Sequence, residues 1–220
     1  RHLPENCRET INTILKETYG YEQFRNLEIY DDLSKGKEKL CISQGQLIEN
    51  VILEAEKAWK SETQVDNILL TAPTGSGKSL LFQLPAIYLG KEYNLLTIVV
   101  SPLKALIVDQ VESLQELGYA RVAYASSDLS PEQKMEVYRQ VREGEIDLFY
   151  LSPELLLSYD IKHFVGERRI GLVVVDEAHT VTTWGKEFRV DYWFLGRYLT
   201  ALKQTLGYNF PLFALTATTV

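Results

Sequence analysis

Two short segments of this chain combine residue types and spacing that suit phosphate chemistry. The first is residues 72–79, Ala-Pro-Thr-Gly-Ser-Gly-Lys-Ser, which departs from the general pattern G-x-x-x-x-G-K-S/T only at Ala72. In such a loop, backbone N–H groups at a helix N-terminus surround phosphate oxygens, Lys78 reaches the β- and γ-phosphates and the Ser79 hydroxyl binds Mg²⁺. A glycine-rich turn between a strand and a helix is the purely structural alternative. The favoured prediction is a site for ATP and Mg²⁺, built from Thr74, Gly75, Ser76, Gly77, Lys78 and Ser79.

The second segment, residues 172–179, is an apolar run that ends in two carboxylates. A buried strand that delivers Asp176 to a sheet edge suits Mg²⁺ binding opposite Ser79. Glu177 can then polarise the water that attacks the γ-phosphate. A polar strand end that caps the next helix is the alternative, and the phosphate-binding pattern earlier in the chain makes it the weaker one.

Apolar runs and helical patterns that alternate along the chain predict the elements that position these residues. The runs are near-continuous, which indicates strands covered by helices on both faces. We therefore expect an α/β fold with a doubly wound, mostly parallel sheet that binds ligands beyond the carboxyl ends of its strands. The predicted strands are 67–71, 96–101, 121–125, 146–151, 170–175 and 211–216, and helices are predicted at 78–89, 103–117, 131–143 and 191–206.

The N-terminal part of the chain predicts a helical extension. Residues 5–18 and 45–59 have apolar positions at helical spacing, whereas residues 31–39 are charged without periodicity and predict a surface linker. We expect a helical extension and linker over residues 1–41, followed by a nucleotide-binding lobe over residues 42–220.

Composition limits the classes of protein that this chain can belong to. The 220 residues, 45% of them hydrophobic, can bury one large core, and no apolar stretch is long enough to predict a membrane span. The start has no apolar core of a signal peptide and no Met, so we expect a piece of a longer protein. Two cysteines without metal-ligand spacing favour a reducing compartment, the bacterial cytoplasm or a nucleus. The formal charge of −7 argues against a globally basic nucleic-acid binder.

Taken together, the motifs resemble those of the superfamily 2 helicases of the DExH-box type. Asp-Glu-Ala-His at 176–179 is similar to their motif II. Residues 74–79 are similar to motif I, which in that family often begins with Ala or Met before Pro-Thr-Gly, as Ala72 does here. The segments similar to motifs Ia, Ib and III are residues 100–110, 150–154 and 214–218.

Residues 184–192, Trp-Gly-Lys-Glu-Phe-Arg-Val-Asp-Tyr, resemble the aromatic-rich loop of RecQ-type DNA helicases. That loop usually reads Ser-Gln-Trp-Gly-His-Asp-Phe-Arg-Pro-Glu-Tyr, and the departures here are Thr182, Thr183, Lys186 and Val190. We expect an exposed loop, because polar and aromatic residues mix in it without a helical or strand period. The resemblance implies the first RecA-like P-loop NTPase lobe of an ATP-dependent, 3′-to-5′ DNA helicase.

The resemblance also implies a role for individual residues. Lys78, Asp176, Glu177 and His179 would be catalytic, and Ser79 and Asp176 would hold the metal. The expected partners are single-stranded or partly duplex DNA and a second RecA-like lobe that supplies an arginine finger, without which this lobe is expected to be nearly inactive. The residues expected to contact DNA or couple it to ATP are Ser101, Lys104, Trp184, Phe188, Arg189, His179, Thr216 and Thr218.

Adenine recognition is a separate question. RecQ-like proteins place a Phe-Gly-Tyr-x-x-Phe-Arg-Pro-Gly-Gln segment before motif I, and residues 19–25 match its start, but Glu28 stands where the glutamine is expected. Residues 43–46, Ser-Gln-Gly-Gln, repeat its ending, so Gln46 is predicted to bind the adenine edge, with Tyr19, Tyr21 and Arg25 nearby. The alternative is that residues 19–25 only pack a helix.

Two other functions remain open at this point. One is an RNA helicase or duplex translocase of the same superfamily. The resemblance of the Trp184 segment to RecQ-type DNA helicases makes this the weaker alternative. The other is a nucleotide-binding module without catalysis in a repair or defence complex. A small-molecule kinase would leave the segments similar to motifs Ia and III without explanation.

Overall fold

The computed structural model describes residues 3–30, 39–62, 64–72, 77–176 and 186–217. Its strands are β1 (Asn26–Tyr30), β2 (Lys39–Ser43), β3 (Ile68–Ala72), β4 (Leu96–Val100), β5 (Val122–Ala125), β6 (Leu148–Leu151), β7 (Ile170–Val175) and β8 (Leu212–Ala217). Its helices are α1 (Glu5–Tyr19), α2 (Gln44–Trp59), α3 (Leu80–Tyr93), α4 (Lys104–Glu116), α5 (Pro131–Arg142), α6 (Pro153–Ser158), α7 (Ile161–Val165) and α8 (Lys186–Leu206).

Six of these strands form one parallel sheet in the described part of the chain, in the order β3-β8-β7-β4-β6-β5. All six coincide with predicted apolar runs, so the expected α/β fold is confirmed. The connection from β3 to β4 crosses β8 and β7, and β8 later returns to lie between β3 and β7. The carboxyl ends of β3, β8 and β7 are therefore neighbours at one edge of the sheet.

Helices cover both faces of this sheet. On one face, α1 to α4 share a core with alternate strand residues such as Val99, Leu172 and Val174. On the other face, α5 to α8 pack on the intervening residues, including Val173 and Val175. Both side-chain sets of each central strand are thus buried, which explains why the strand sequences are apolar throughout.

Helix α3 is buried on nearly all of its surface. It contacts strands β4, β6 and β7 on one side and helices α1 and α2 on the other. Residues 80–89 are buried, including Gln83 and Tyr88, and so the helix is apolar around its whole circumference instead of on one stripe. This placement fixes the start of α3, and with it residues 77–79, relative to the sheet.

The N-terminal region contains a hairpin that the sequence does not predict. Strands β1 and β2 pair antiparallel, and β2 already begins at Lys39, so the linker prediction for 31–39 is wrong at its last residue. Residues 31–38 lie outside the described residues. Helix α1 packs its buried face, including Ile11 and Leu15, into the same core as α3, so the extension is part of the lobe's packing.

Three helical features also differ from expectation. The short helices α6 and α7 are not predicted by the sequence pattern; each begins at a side-chain cap, Ser152 and Asp160, that accepts a backbone N–H. Helix α8 begins at Lys186 and not at residue 191, so Phe188 and Arg189 lie on a helix and the loop prediction is wrong for them. None of the helices among the described residues has the length and apolarity of a membrane span.

Candidate nucleotide and metal site

The phosphate-loop residues that the structure describes stand at the start of α3. Gly77 has φ +74°, a left-handed conformation that favours glycine, and Ser79 is already helical at φ −62° and ψ −34°. The Ser79 carbonyl accepts the backbone N–H of Gln83 at 2.9 Å. A left-handed glycine directly before a helix turns backbone donors toward one point, the geometry of a phosphate site. Thr74, Gly75 and Ser76 lie outside the described residues.

Lys78 and Asp176 are both buried at this edge of the sheet, with 9% and 4% of their surface exposed. Lys78 follows the end of β3, and Asp176 follows β7, so only β8 lies between the two strands. The backbone N–H of Asp176 donates to the carbonyl of Val100 at 2.9 Å, which extends the pairing of β7 with β4. Buried charges of opposite sign beyond the carboxyl ends of two strands in one parallel sheet are suited to bind a phosphate and a cation.

The donor set at this edge fits magnesium. The Asp176 carboxylate and the Ser79 hydroxyl are hard oxygen ligands, and Mg²⁺ is usually held by one or two such groups together with phosphate oxygens and water. Among the residues that the structure describes, no three His, Cys, Asp or Glu side chains cluster as a metal site. A pair of oxygen ligands such as Ser79 and Asp176 suits a metal whose remaining ligands come from a nucleotide and water. Glu177 and His179 lie outside the described residues.

A partly buried network of hydrogen bonds also reaches Asp176. The Gln110 amide donates to its Oδ2 at 3.4 Å, and the Tyr150 hydroxyl donates to Gln110 Oε1 at 2.7 Å. Gln83 Nε2 donates to the Tyr150 hydroxyl at 3.1 Å, and Tyr19 donates to Gln83 Oε1 at 3.1 Å. Burial raises the pKa of both tyrosines above the usual value, so their hydroxyls stay protonated. The sequence motifs place Tyr19 beside the adenine and give Gln83, Gln110 and Tyr150 no role.

Gln44, and not Gln46, lies against the phosphate loop. Gln44 is buried, its Oε1 accepts the backbone N–H of Arg25 at 2.9 Å, and its Nε2 donates to the carbonyl of Gly77 at 3.4 Å. Gln46 instead donates to Asn50 at 3.3 Å and lines a separate cavity of about 320 Å³ between α1 and the start of α2. Gln44 therefore contacts the phosphate loop directly, and the assignment of the adenine edge to Gln46 stays a prediction.

Tyr19 and Tyr21 have different surroundings, although their rings stack with centroids 6.4 Å apart. The Tyr19 hydroxyl points into the core toward Gln83. Tyr21 is 47% exposed, and the Arg25 guanidinium lies 5.7 Å from its ring centroid. Residues 19–25 thus serve packing through Tyr19 and present an exposed aromatic–cation pair through Tyr21 and Arg25.

The residues expected to contact nucleic acid differ in their burial and in their partners. Ser101 is buried and accepts the backbone N–H of Leu103, and its contact with DNA stays a prediction. Lys104 is half exposed and forms an ion pair with Asp128. Thr216 pairs with Thr71 in the register of β8 and β3. Trp184 and Thr218 lie outside the described residues.

Comparison with known proteins places these motifs in a family. Residues 53–220 match the DEAD/DEAH box helicase family. The chain is 34% identical over 216 residues to the ATP-dependent DNA helicase RecQ of Synechocystis sp., covering 96% of this chain and 38% of that protein. It is 39% identical over 146 residues to the probable ATP-dependent DNA helicase RecS of Bacillus subtilis, covering 66% and 27%.

Solved structures show the same fold. The DUF1998 helicase MrfA superposes with a TM-score of 0.65 at 21% identity, over 99% of this chain and 30% of that one. The chain therefore spans less than half the length of the relatives that it matches.

Proposed function

Because the chain belongs to the DEAD/DEAH box helicase family, we propose that it forms the ATP-binding lobe of an ATP-dependent, RecQ-like DNA helicase. The observation that supports this most directly is the buried pair of charges, Lys78 and Asp176, on either side of β8 at the carboxyl edge of the sheet. In this proposal the lobe uses ATP hydrolysis to drive 3′-to-5′ translocation on single-stranded DNA and unwinding of partly duplex DNA.

The chemistry assigned to each residue follows from its charge and place. Lys78 neutralises negative charge that grows on the β- and γ-phosphate oxygens, and Gly77 allows the backbone to approach them closely. Ser79 and Asp176 hold Mg²⁺, which when bound supplies further neutralisation of the same oxygens. Glu177 orients and deprotonates the attacking water, and His179 follows it on the same segment.

We propose that Gln44 binds the adenine edge, with Tyr21 and Arg25 stacking beside it. The bond of Gln44 to Gly77 is long at 3.4 Å, so the amide can exchange that weak bond for one to a base. Gln44 also contacts the phosphate loop, which supports a role for one side chain in binding both the base and the loop that would hold the phosphates.

The partners are proposed on the same basis. Single-stranded or partly duplex DNA would contact Lys104, Trp184 and helix α8, with Phe188 and Arg189 on the first turns of that helix. Thr216, near the end of β8, and Thr218, two residues later in the sequence, would link this surface to the nucleotide. A second RecA-like lobe would complete the ATP site with an arginine.

The cellular compartment is proposed from the cysteines. Cys7 and Cys41 are both free thiols. Free thiols persist in reducing compartments, so the bacterial cytoplasm or a nucleus fits this chain.

Activity measurements on variants of the full-length protein test the proposal. Lys78→Ala and Glu177→Gln should lower the ATP hydrolysis rate about 100-fold or more, because each removes a group that acts in the transition state. Lys91→Ala, at the exposed end of the same helix α3, should leave the rate within about twofold. Single-stranded DNA should stimulate hydrolysis more than duplex DNA or RNA.

Two results would count against the proposal. Stimulation by RNA or by uninterrupted duplex above that by single-stranded DNA would favour the other branches of the family. Unchanged hydrolysis or unwinding in Glu177→Gln would favour a nucleotide-binding module without catalysis.

A further inference from the structure

Five side chains from five different elements form one continuous row of hydrogen bonds that ends on the candidate metal ligand. We name it the Tyr19–Asp176 network: Tyr19 on α1, Gln83 on α3, Tyr150 on β6, Gln110 on α4 and Asp176 after β7. Its four bonds measure 3.1, 3.1, 2.7 and 3.4 Å in that order. Sequence separations of 40 to 67 residues between bonded partners mean that the fold, and not local structure, brings them together.

The charge at one end sets the direction of every bond. An ionised carboxylate only accepts, so the amide nitrogen of Gln110 must face Asp176 and its oxygen must face Tyr150. The Tyr150 hydroxyl must then donate to Gln110, which leaves its lone pairs for the amide of Gln83. The Gln83 oxygen in turn accepts from Tyr19. All the dipoles point the same way, and aligned bonds of this kind strengthen each other in a low-dielectric interior.

The middle of the network lies inside the core, whereas Tyr19 and Gln110 are partly exposed. Tyr150, Asp176 and Gln83 are 1%, 4% and 5% exposed, so water cannot replace a lost partner at the middle of the network. A buried polar group that loses its hydrogen-bond partner lowers the stability of the fold. Each member of the network is therefore held to its neighbour. The Tyr150 ring is also fixed by an edge contact with Phe82 at 6.4 Å between centroids.

We propose that Gln110 and Tyr150 are positioning residues that fix the orientation of the Asp176 carboxylate for Mg²⁺ binding, with Gln83 and Tyr19 anchoring the far end on α3 and α1. This inference rests on the proposed function in so far as Asp176 is the metal ligand. The partners of a metal ligand set its orientation, and their loss typically lowers metal affinity about 10- to 100-fold. Gln110 also lies on α4, the helix that begins at Lys104, so a shift of that helix would move the carboxylate.

The test separates metal binding from nucleotide binding in the full-length protein. Affinity for a fluorescent ADP is measured in EDTA, and Mn²⁺ is then titrated calorimetrically into the ADP-saturated protein. Gln110→Leu should leave the affinity in EDTA within about twofold and weaken Mn²⁺ binding about tenfold. Tyr150→Phe should weaken Mn²⁺ binding in the same direction by a smaller factor, because it acts through Gln110.

Matched variants control for simple loss of packing. Gln115→Leu replaces an exposed glutamine on the same helix α4. Tyr119→Phe removes a buried hydroxyl that has no hydrogen-bond partner among the described residues. Both should bind Mn²⁺ like the unmodified protein.

Wild-type Mn²⁺ affinity in a folded Gln110→Leu variant would overturn the positioning role. An equal loss of ADP affinity in EDTA would also overturn it, because that result would indicate a general distortion of the site. Absence of ATP hydrolysis in the unmodified protein would contradict the proposed function instead, and the titration of Mn²⁺ would still report on Gln110.

Discussion

The side-chain amide of Gln44 donates to the carbonyl oxygen of Gly77 at 3.4 Å and so joins the first residue of α2 to the phosphate loop. Its oxygen accepts the backbone N–H of Arg25 at 2.9 Å, so the same side chain also holds the segment that precedes β1. One buried glutamine thus connects three parts of the chain that are distant in sequence. Any ligand that displaces its amide from Gly77 would affect all three.

Gln44→Ala should therefore weaken ATP binding and reduce selectivity for the base. Loss of one to two hydrogen bonds to the adenine should raise the KM for ATP about tenfold, while the KM for GTP changes less than about threefold. Steady-state hydrolysis with both nucleotides, measured on the full-length protein, checks this. Gln46→Ala is the matched control and should change neither value by more than about twofold. A larger effect of Gln46→Ala than of Gln44→Ala would favour Gln46 as the adenine-binding residue.

The choice between these two glutamines shows what sequence reasoning could not decide. Residues two apart on a helix point about 200° away from each other, so only one of them can face the phosphate loop. Which one does depends on where α2 begins, and that start is set by the Ser43 side chain, which accepts the backbone N–H of Gly45. The repeated Gly-Gln ending matches the family at Gln46, but a motif match carries no information about the cap that fixes the rotation of the helix.

The sheet, by contrast, could be predicted because its strands are continuous apolar runs. Residues 170–175 are buried at every position, a pattern that only a strand covered on both faces produces at that length. Other segments could not be assigned in this way: β1 is not a continuous apolar run, α7 has only five residues, and the first turns of α8 combine charge and aromatic character. The Tyr19–Asp176 network could not be predicted from the sequence, because it depends on which way each side chain points.

Gly77→Ala should impair nucleotide binding as well as stability. A left-handed backbone costs about 1–2 kcal/mol for a residue with a Cβ, and the added methyl would lie 3.0 Å from the Gln44 amide. We expect urea unfolding to show that loss and fluorescent-ADP titration to show a drop in affinity of about tenfold or more.

Gly207→Ala is the control that separates the loss of stability in Gly77→Ala from its loss of affinity for ADP. Gly207 has φ +78°, but an added Cβ would meet no heavy atom within 4 Å, and the residue precedes β8 at the opposite edge of the sheet. The variant should lose similar stability and keep the affinity for ADP. If Gly77→Ala binds ADP normally, the loop does not hold the phosphates in the way proposed.

Gly90→Ala should destabilise the fold without affecting the site. A methyl group there would approach the Asp147 carboxylate to 2.5 Å, and that carboxylate is held by Arg168 and Arg121 in a buried ion cluster. Overpacking of this kind costs about 1–3 kcal/mol, which a thermal or urea melt would detect. Asp147 precedes β6 at the amino edge of the sheet, so the KM for ATP should remain unchanged in the folded protein.

Gly196→Ala should raise the free energy of unfolding in the same measurement, whereas Gly90→Ala should lower it. Gly196 lies inside α8 with no atom within 4 Å of the added methyl, so the substitution should stabilise the helix by up to about 1 kcal/mol. A stabilised Gly90→Ala variant would contradict the contact with Asp147.

Asp128→Asn should strengthen DNA binding if Lys104 contacts the phosphate backbone. The two side chains form an ion pair while half exposed, so stability should change by less than about 1 kcal/mol. Release of Lys104 should raise affinity for single-stranded DNA about two- to fivefold at low salt, and Lys104→Ala should lower it and reduce the salt dependence by about one counterion. Fluorescence anisotropy at several salt concentrations measures both.

Glu116→Gln is the charge-matched control for this experiment, since it removes one negative charge from the exposed far end of α4. It should leave DNA affinity within about 1.5-fold. An equal gain from Glu116→Gln and Asp128→Asn would show that only net charge matters and that Lys104 has no specific role.

Buried tyrosines should make the fold sensitive to alkali. Burial raises the pKa of Tyr93 to about 12 and that of Tyr119 still further, whereas tyrosines in the unfolded chain ionise near a pKa of about 10. The contribution of these groups to stability is complete below about pH 10 and is lost as the pH rises toward the folded value, because the unfolded chain releases the protons first. Urea unfolding of the full-length protein between about pH 8 and pH 11 should show a free energy of unfolding that is steady up to about pH 9.5 and then falls.

Tyr119→Phe tests the cause of that fall. Its hydroxyl is buried without a hydrogen-bond partner among the described residues, so removal should cost little stability at about pH 8. Above about pH 10 the variant should lose stability less steeply than the unmodified protein, by up to about 1.4 kcal/mol per pH unit, because one ionising group is gone. Tyr159→Phe, at an exposed position, should follow the unmodified protein at every pH. Parallel curves for Tyr119→Phe and the unmodified protein would show that Tyr119 does not cause the alkaline loss, which would then come from groups unchanged in both, such as Tyr93.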